Sequence, residues 1–357
     1  MSDNVLYILI IAGGRGTRFW PLSRRSFPKQ CLSPDGGPTL IQRTIARLLP
    51  IVPIEHVLVV TSSEMAAAIQ EQLPELPPDN LLIEPVGRNT APAIAWGAAE
   101  IGRRARGGNP MVAVLPSDHL IEREDELRDL LLDCAEAARA TNALVTVGLE
   151  AQHPETGFGY LEVGGELGRW GDRAFLRVER FVEKPDLDTA LSFVAGGKHL
   201  WNAGMFVFGV EALRDALREH LPHTWVLLEQ MRHSPALVPT LYPQLDAISF
   251  DHGVMERAHH VLTVRADLGW SDVGSWTALA DMLPEHPLGR VAARRGVAID
   301  ASDNIVFAPG KVVAMVGVRD LVVVDTRDAL LICHRDEAQR LREVVAELER
   351  EGPDDVL

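Results

Sequence analysis

Cysteine is scarce in this sequence, and its positions argue against two common kinds of site. Cys31, Cys134 and Cys333 lie far apart and form no C-x-x-C pair, so neither a zinc site nor a disulfide framework is indicated. Long apolar runs are also missing, so no segment is expected to span a membrane. The N-terminus enters an apolar run without a basic region or cleavage site, so no secretory signal is expected. We therefore expect a reduced, cytoplasmic protein.

Positive charge is outweighed by negative charge. The chain has 35 lysines and arginines against 50 acidic residues, which gives a formal net charge of −15. Such a surface disfavours non-specific binding to nucleic acids and membranes, so any phosphate site must rest on a local basic pocket. A length of 357 residues predicts one large and one small domain, which we place at residues 1–284 and 285–357.

Strand and helix patterns alternate through the first 150 residues. Short apolar runs at 5–11, 58–60, 81–83, 111–115 and 144–147 read as strands, and the segments at 63–73, 90–106 and 125–140 read as helices. This alternation predicts an α/β fold with a Rossmann-like, mixed, mostly parallel sheet covered by helices. In such sheets ligands bind at the carboxyl ends of the strands.

The pattern changes after residue 157. Strands are predicted at 158–163, 175–183, 205–208 and 261–264, and helices at 188–195, 211–219, 225–231 and 275–282. From 285 onward short valine- and isoleucine-rich strands are separated at Asn304, Gly310, Gly317 and Asp328, and an amphipathic helix follows at 336–350. Although no clean hexapeptide repeat is present, this pattern predicts a small C-terminal β-rich domain of left-handed β-helix-like form.

The stretch from Ile10 to Gln30, IIAGGRGTRFWPLSRRSFPKQ, combines a glycine turn with a basic cluster. Glycines let the backbone turn sharply and bring its N–H groups close to an anion. The cluster adds Arg15, Arg18, Arg24, Arg25 and Lys29. Together these features predict a phosphate cradle, although a simple tight turn would use the same glycines. The stretch is neither G-x-G-x-x-G nor a P-loop.

Two aspartates lie where strands or glycine turns end. Asp118 follows the strand at 111–115, and Asp272 lies in the turn GWSDVGSW. One or two carboxylates beside phosphate oxygens suit Mg²⁺. Both aspartates would also serve as helix caps, and the local sequence does not decide between the two roles. His119 is expected to be structural, since a single histidine gives no ligand set.

Polar residues near glycines and aromatic rings predict a sugar phosphate site. Glu183 and Lys184 end a strand before a proline, and a lysine suits a phosphate while a glutamate suits sugar hydroxyls. Asn202 can donate to and accept from hydroxyls, and Gly159 beside Tyr160 allows close approach. A solvated strand end is the alternative for the Glu-Lys-Pro string.

These strings resemble the motifs of the mannose-1-phosphate guanylyltransferases, also called GDP-mannose pyrophosphorylases, within the sugar-phosphate nucleotidyltransferase family. The stretch from Ile10 to Gln30 is similar to the family's G-G-x-G-T-R-x-W-P-L-S…P-K-Q. The next residue is Cys31, where the family usually has Phe. EPVGRNTAPA, PSDH, TGFGY, FVEKP, WNAGMF, DHGVMER and GWSDVGSW follow in the family's order, so the resemblance covers about residues 5 to 285. The chain is too short for the isomerase domain of some relatives, so isomerase activity is not expected.

The resemblance implies that GMP passes from GTP to α-D-mannose 1-phosphate, with Mg²⁺ held by Asp118 and Asp272 and a homodimer as the assembly. It implies that catalysis rests on Arg15, Lys29, Asp118 and Asp272. Nucleotide binding is implied for Ala12, Gly13, Gly14, Gly16, Thr17, Glu84, Arg88, Asn89 and Ser117. Sugar phosphate binding is implied for Gly159, Tyr160, Glu183, Lys184 and Asn202.

Glu84 has a specific implied role, because its carboxylate could accept both N1–H and N2–H₂ of guanine. Asn89 or Thr90 is expected to cap the helix that follows it. In DHGVMER, Glu256 and Arg257 are expected to pack or to support other residues. Two alternatives remain, namely a nucleotidyltransferase for another sugar or base and a non-catalytic regulatory subunit on the same fold.

Overall fold

A computed structural model of the chain describes residues 5–14, 16–105, 108–352 and 356. Its larger sheet has nine strands in the order β3-β2-β1-β4-β8-β5-β9-β7-β6. The strands are β1 (Leu6–Ile11), β2 (Val57–Ser62), β3 (Leu81–Glu84), β4 (Met111–Pro116), β5 (Leu144–Glu150), β6 (Gly159–Trp170), β7 (Arg173–Glu183), β8 (His199–Gly209) and β9 (Val261–Ala266). Strands β7 and β8 run against the other seven. The predicted mixed, mostly parallel sheet is therefore confirmed.

Helices cover both faces of this sheet. They are α1 (Leu40–Ala46), α2 (Ala66–Gln72), α3 (Thr90–Arg104), α4 (Glu124–Thr141), α5 (Leu187–Gly196), α6 (Val210–His220), α7 (Pro222–His233) and α8 (Val238–Leu241). Within β1, Ile8 and Ile10 belong to one buried cluster and Leu9 to the other. Side chains of a strand alternate between faces, so a continuous apolar run such as β1 is what a strand covered on both faces requires.

Helix α3 begins as the sequence predicts. The Asn89 side chain accepts a hydrogen bond from the Thr90 N–H at 2.9 Å, and Pro92 lies in the first turn. Both features favour a helix start. The Asn89 side chain supplies an acceptor to an N–H that has no partner within the helix, and Pro92 has no N–H that would need one.

The strand predicted at 205–208 is too short. Strand β8 begins at His199 because its polar residue Asn202, which interrupts the apolar pattern, finds partners inside the protein. Its amide oxygen accepts from Thr146 Oγ1 at 2.7 Å, and its amide nitrogen donates to Asp251 Oδ1 at 3.1 Å. A polar residue that is hydrogen-bonded in this way does not end a strand.

A second, five-stranded sheet follows the first. Its order is β10 (Glu285–His286), β11 (Gly289–Ile299), β12 (Asn304–Val316), β13 (Leu321–Asp325) and β14 (Leu330–His334). Strands β11, β12 and β13 pair in parallel. The break predicted at Gly310 is wrong, because β12 continues through it in an irregular stretch of the β11–β12 pairing. Asn304 is a strand start, and its buried side chain accepts from Leu321 N–H at 3.0 Å.

Two helices flank this sheet, α9 (Trp276–Ala280) and α10 (Leu341–Glu351). The single helix predicted at 336–350 is instead a 3₁₀ turn, Arg335–Arg340, followed by α10. Among the helices of the described residues, none has the length and apolar character needed to cross a membrane. Cys31, Cys134 and Cys333 are free thiols.

A buried cluster joins the basic stretch, which follows β1, to the second sheet. Phe19 and Trp20 pack in it with Trp276 of α9 and with Leu341 and Val345 of α10. The Phe19 and Trp276 rings are 5.6 Å apart. Because this cluster takes side chains from both predicted domains, residues 1–284 and 285–357 share a core, and the division at 284 stays a prediction.

Polar contacts strengthen the same junction. The Trp20 indole N–H donates to the Val356 carbonyl at 2.8 Å in a buried hydrogen bond. Arg24 pairs with Asp328, and Arg25 with Glu349, each at 2.9 Å. These two arginines, which the sequence left without a role, therefore bind residues that lie more than three hundred positions away.

Replacing Trp276 with Ala should destabilise the chain strongly, because a fully buried ring at the junction would leave a cavity. We expect a loss of about 3–5 kcal/mol in the free energy of unfolding, measured by urea denaturation. The control is Leu330→Ala, which removes a side chain that is 58% exposed. That change should stay within about 0.5 kcal/mol. Equal losses in the two variants would contradict the central position of Trp276.

Candidate active site

A cleft of about 260 Å³ opens at the carboxyl ends of β1 and β4. Its walls include four of the residues that the sequence predicts for the site, namely Gly159, Glu183, Asn202 and Asp272. The remaining lining residues are Ile11, Thr90, Ile94, Val114, Pro116, His119, Gly157, Phe158, Ala203, Gly204, Phe206, Asp251 and Trp270. The cleft therefore brings together residues that are far apart in the sequence, from Ile11 to Asp272.

A buried ammonium, that of Lys29, contacts the wall of the cleft at Asp272. Lys29 Nζ lies 2.8 Å from Asp118 Oδ2 and donates to the Asp272 carbonyl at 2.8 Å. The Lys29 side chain is only 7% exposed. Burial alone would raise the pKa of Asp118. The charge of Lys29, the charge of His119 and the hydrogen bonds that Asp118 accepts act together against burial and hold that pKa below its ordinary value. Asp118 is therefore ionised at neutral pH.

Gly16 is required for this arrangement. It has a φ of 65°, and a Cβ added to it would lie 2.4 Å from Lys29 Cβ. Any side chain here would be strained by the left-handed backbone and would collide with Lys29. This glycine of the signature therefore lets the loop pass directly over the lysine.

The donor set at this end suits a hard divalent cation shared with a substrate. Asp118 and Asp272 both contact Lys29, the first through its carboxylate and the second through its main chain. Asp272 Oδ1 accepts from the Gly274 N–H at 2.9 Å, which fixes its side chain. Across the described residues no cluster of three or more histidine, cysteine or acidic side chains is found. Two carboxylates fit Mg²⁺ that takes its other ligands from phosphates and water.

Aromatic rings line the cleft between its two ends. His119 Nδ1 accepts from the Trp270 indole N–H at 3.0 Å, and the two rings meet edge to face. Phe158 packs against both Trp270 and Trp201. Burial lowers the pKa of His119 to about 4, so the ring is neutral at pH 7. The expectation that His119 is structural agrees with these contacts.

Carboxylates and an amide form the other end of the cleft. Glu183 Oε1 accepts from Lys184 Nζ at 2.5 Å, and Lys184 has a φ of 49°. The Lys184 side chain is 60% exposed, whereas that of Glu183 is 8% exposed. A Cβ on Gly159 would lie 2.6 Å from Glu183 Oε2, so this glycine is needed for close approach. The side chain of Tyr160 is buried, which leaves only its backbone near the cleft.

Asp251 is a cleft residue that the sequence reasoning missed. It begins a π-helical turn, Asp251–Met255, and accepts a hydrogen bond from Asn202. Burial, and then the charge of Glu183, raise the pKa of Asp251 to about 6. The string DHGVMER resembles a family motif, but the roles expected within it are those of Glu256 and Arg257. Glu256 supports the site indirectly by accepting from the Glu183 N–H at 2.9 Å.

The predicted nucleotide residues lie around the glycine loop. Glu84 is buried and accepts from the Tyr242 hydroxyl at 2.5 Å. Burial raises its pKa, and a Cβ on Gly13 would lie 3.5 Å from its second carboxylate oxygen. One oxygen is thus held by Tyr242 while the other faces the loop.

The other residues predicted to bind the nucleotide differ in their surroundings. The Ala12 carbonyl accepts from Gln30 and Thr61, and the Ser117 N–H donates to the Ile11 carbonyl at 3.2 Å, so both residues hold the loop in place. Asn89 caps α3, whereas Arg88 Nε is buried and meets no acceptor in the described ranges. Gly14 is exposed, and Thr17 opens the 3₁₀ turn Thr17–Phe19.

Arg15, which was predicted as catalytic, lies outside the described residues. Arg18 was not predicted as a site residue, yet its guanidinium lies within the electrostatic range of Asp272 and Asp118. Burial, and then the charge of Arg342, lower the pKa of Arg18, and the two aspartates oppose that change. The signal in the sequence was its place in the G-T-R string and in the basic cluster.

Comparison with known proteins agrees with this geometry. Residues 7–287 match the nucleotidyl transferase family model, and residues 294–348 match the "MannoseP isomerase/GMP-like beta-helix domain" model. Mannose-1-phosphate guanylyltransferase ManC of Salmonella typhimurium is 37% identical, with 99% of this chain and 75% of that protein covered. The mannose-1-phosphate guanylyltransferase of Escherichia coli K12 gives the same three values.

Alginate biosynthesis protein AlgA of Pseudomonas aeruginosa is 36% identical, with 96% of this chain and 72% of that protein covered. A solved structure, that of a mannose-1-phosphate geranyltransferase from Thermus thermophilus, superposes with a TM-score of 0.85. Its sequence is 36% identical, and the match covers 96% of this chain and 99% of that one.

Replacing Asp251 with Asn should remove a pH-dependent loss of stability. The pKa is raised from 3.8 to about 6 on folding, so the wild-type chain should lose stability as pH rises through that interval. We expect the Asp251→Asn variant to gain in urea midpoint over wild type at pH 7.5 but not at pH 4. Asp172→Asn, in an exposed turn, is the control. A parallel pH dependence in wild type and Asp251→Asn would contradict the assignment.

Proposed function

This chain belongs to the nucleotidyl transferase family and, within it, to the mannose-1-phosphate guanylyltransferases, and we propose that it transfers GMP from GTP to mannose 1-phosphate. One observation carries the proposal. A buried lysine contacts two aspartates, of which Asp272 lines the cleft, and the same cleft is lined by the hydroxyl-binding groups of Glu183 and Asn202. A triphosphate needs the first arrangement, and a sugar needs the second.

The proposed roles follow from position. The backbone of the glycine loop and Arg18 would bind the triphosphate, and Lys29 would lie at the reacting α-phosphate. Lys184 would bind the sugar phosphate. The mannose hydroxyls would meet Glu183, Asn202, Asp251 and the backbone of Gly159 and Tyr160.

Asp118 and Asp272 would hold Mg²⁺. The ion would neutralise the charge that gathers on the phosphate oxygens as the α-phosphorus changes partners. Without such a cation, the two carboxylates would repel the substrate phosphates, although Lys29 offsets part of that repulsion.

The reaction needs no general base. A phosphate oxygen of mannose 1-phosphate, already ionised near neutral pH, attacks the α-phosphorus of GTP in line. The bond from that phosphorus to the bridging oxygen breaks, and pyrophosphate leaves with the electron pair. Catalysis then consists of positioning two anionic substrates and neutralising their charge. A cleft that has a buried cation beside two carboxylates fits that chemistry.

Pyrophosphate release over a grid of substrates tests the proposal. GTP, ATP, UTP and dTTP would each be combined with mannose 1-phosphate and glucose 1-phosphate in the presence and absence of Mg²⁺. We expect the highest kcat/KM for GTP with mannose 1-phosphate, and no turnover in EDTA. A preference for another pair would favour the alternative nucleotidyltransferase. No turnover with any pair would favour a regulatory subunit.

Replacing Lys29 should lower kcat by more than its effect on the stability of the fold explains. Lys29→Ala should reduce kcat by at least about 100-fold, but it also leaves Asp118 buried without its partner, which costs stability. The double variant Lys29→Met/Asp118→Asn removes both charges together. We expect urea denaturation to show recovery of most of that stability while pyrophosphate release stays abolished. An unchanged kcat in Lys29→Ala would refute the role of Lys29, and recovery of activity in the double variant would refute the roles of both Lys29 and Asp118.

Glu84 should set the preference for guanine. Glu84→Gln keeps an oxygen for Tyr242 but replaces an acceptor with an amide donor, which faces the two donors of guanine unfavourably. We expect the ratio of kcat/KM for GTP over UTP to fall by at least about tenfold, equivalent to about 1.4 kcal/mol. Tyr242→Phe is the control, since it removes only the supporting hydroxyl. An unchanged ratio in Glu84→Gln would end this assignment.

A further inference from the structure

One polar side chain lies inside the apolar part of β5. Thr146 is fully buried, and its neighbours on the strand, Val145 and Val147, belong to the same buried cluster. The Thr146 hydroxyl lies 2.7 Å from Asn202 Oδ1 and 3.0 Å from the Met205 carbonyl oxygen, both in β8. Both of these oxygens are acceptors, so the hydroxyl donates and shares its one proton between them.

The two acceptors lie at the ends of an irregular stretch of β8. The pairing of β5 with β8 shifts between Thr146 and Gly148, so that one residue of β5 faces three residues of β8, 203–205. Gly204, in the middle of these three, has a φ of 67° and lines the cleft. Bulges bend a strand and re-aim its side chains, often beside active sites. The Thr146 hydroxyl therefore holds this bulge at its last residue and at the residue just before it.

The amide of Asn202 is held from two sides. Its oxygen accepts from Thr146, and its nitrogen donates to Asp251 Oδ1 at 3.1 Å. Asn202 lines the cleft, and among the described residues only Asp251 accepts from its nitrogen, so a second N–H can donate to a ligand there. If the amide were turned over, its oxygen would face the Asp251 carboxylate, and the cleft would lose this donor.

We propose that Thr146 is a positioning residue for the sugar, which acts through Asn202. The Thr146 hydroxyl fixes the amide so that an N–H of Asn202 donates to a sugar hydroxyl, which in turn donates to a carboxylate of the cleft. A hydroxyl both donates and accepts, so a donor beside an acceptor recognises it. This role rests on the function proposed above. Because Thr146 is fully buried, its effect on the sugar passes through the amide.

The neighbouring strand offers a matched control. Thr263 of β9 is paired in register with Thr146 and is also fully buried. In the part of the chain that the structure describes, the Thr263 hydroxyl has no hydrogen-bond partner. A change from threonine to valine keeps the shape of the side chain and removes its hydroxyl. Thr146→Val and Thr263→Val therefore make the same chemical change on adjacent strands, but only the first removes a bond to Asn202.

Calorimetric titration separates these two variants. Mannose 1-phosphate, glucose 1-phosphate and GTP, each with Mg²⁺, would be titrated into wild type, Thr146→Val, Thr146→Ser and Thr263→Val. We expect Thr146→Val to raise the Kd of the preferred sugar phosphate about tenfold and to leave the Kd of GTP unchanged. Thr146→Ser, which keeps the hydroxyl, should restore binding, and Thr263→Val should match wild type.

A double-mutant cycle tests the route through Asn202. Asn202→Ala should weaken binding of the sugar phosphate, and adding Thr146→Val should weaken it no further. Additive losses would overturn the proposal, as would an unchanged Kd in Thr146→Val. Equal weakening of GTP and sugar phosphate would overturn it too, since that marks a structural role. If Thr146→Val does not fold, Thr146→Ala and Thr146→Ser form a pair that differs only in the hydroxyl, and the same outcomes apply.

Calorimetry needs no turnover, so the two proposals fail in different ways. A wild type that binds a sugar phosphate but releases no pyrophosphate would refute the proposed function and still leave the role of Thr146 tested. A wild type that binds neither sugar phosphate would refute both.

Discussion

The contact between Lys29 and Asp118 fixes the active end of this molecule. The two groups are 2.8 Å apart in a place where the lysine has almost no access to water. A buried ammonium is costly unless a carboxylate and further acceptors surround it. The Asp272 carbonyl supplies one such acceptor. Three distant segments, those after β1, after β4 and after β9, must therefore meet at one nitrogen.

The two ends of the cleft differ in how their charges are balanced. At the Lys29 end, the Asp118 carboxylate lies 2.8 Å from the lysine ammonium, and the pKa of Asp118 is lowered. At the other end, Asp251 and Glu183 lie close together, and the pKa of Asp251 is raised. Hydroxyl groups of a sugar can donate to both carboxylates and so relieve that cost. The Lys29 end thus suits an anion, and the other end combines the cation of Lys184 with carboxylates and an amide that suit hydroxyl groups.

What the sequence could predict depended on how local each signal was. The mostly parallel first sheet and the α3 cap follow from apolar runs and a local string. The motif strings implied that Asp118 and Asp272 lie beside the basic stretch, but not that Lys29 pairs with Asp118. The contact of Glu84 with Tyr242 does not, because the two lie 158 positions apart and only the packing of α3 and the following loops brings them together. Asp251 was missed although its string, DHGVMER, resembles a family motif, because the string alone does not show that Asp251 meets Asn202 of β8. Strand β8 was shortened because the partners of Asn202 lie on other elements.

The junction between the sheets explains why the basic stretch is so rich in aromatic and charged residues. Phosphate binding needs glycines and cations, but it does not need Phe19, Trp20, Arg24 or Arg25. Those residues face the second sheet and α10. The segment from Thr17 to Lys29 thus has two surfaces, one toward the cleft and one toward the C-terminal sheet. Since Lys29 also lies over the Phe19 ring at 5.5 Å, the two surfaces meet at a single side chain. The packing against the second sheet and the ion pair of the cleft therefore share one contact, that of Phe19 with Lys29.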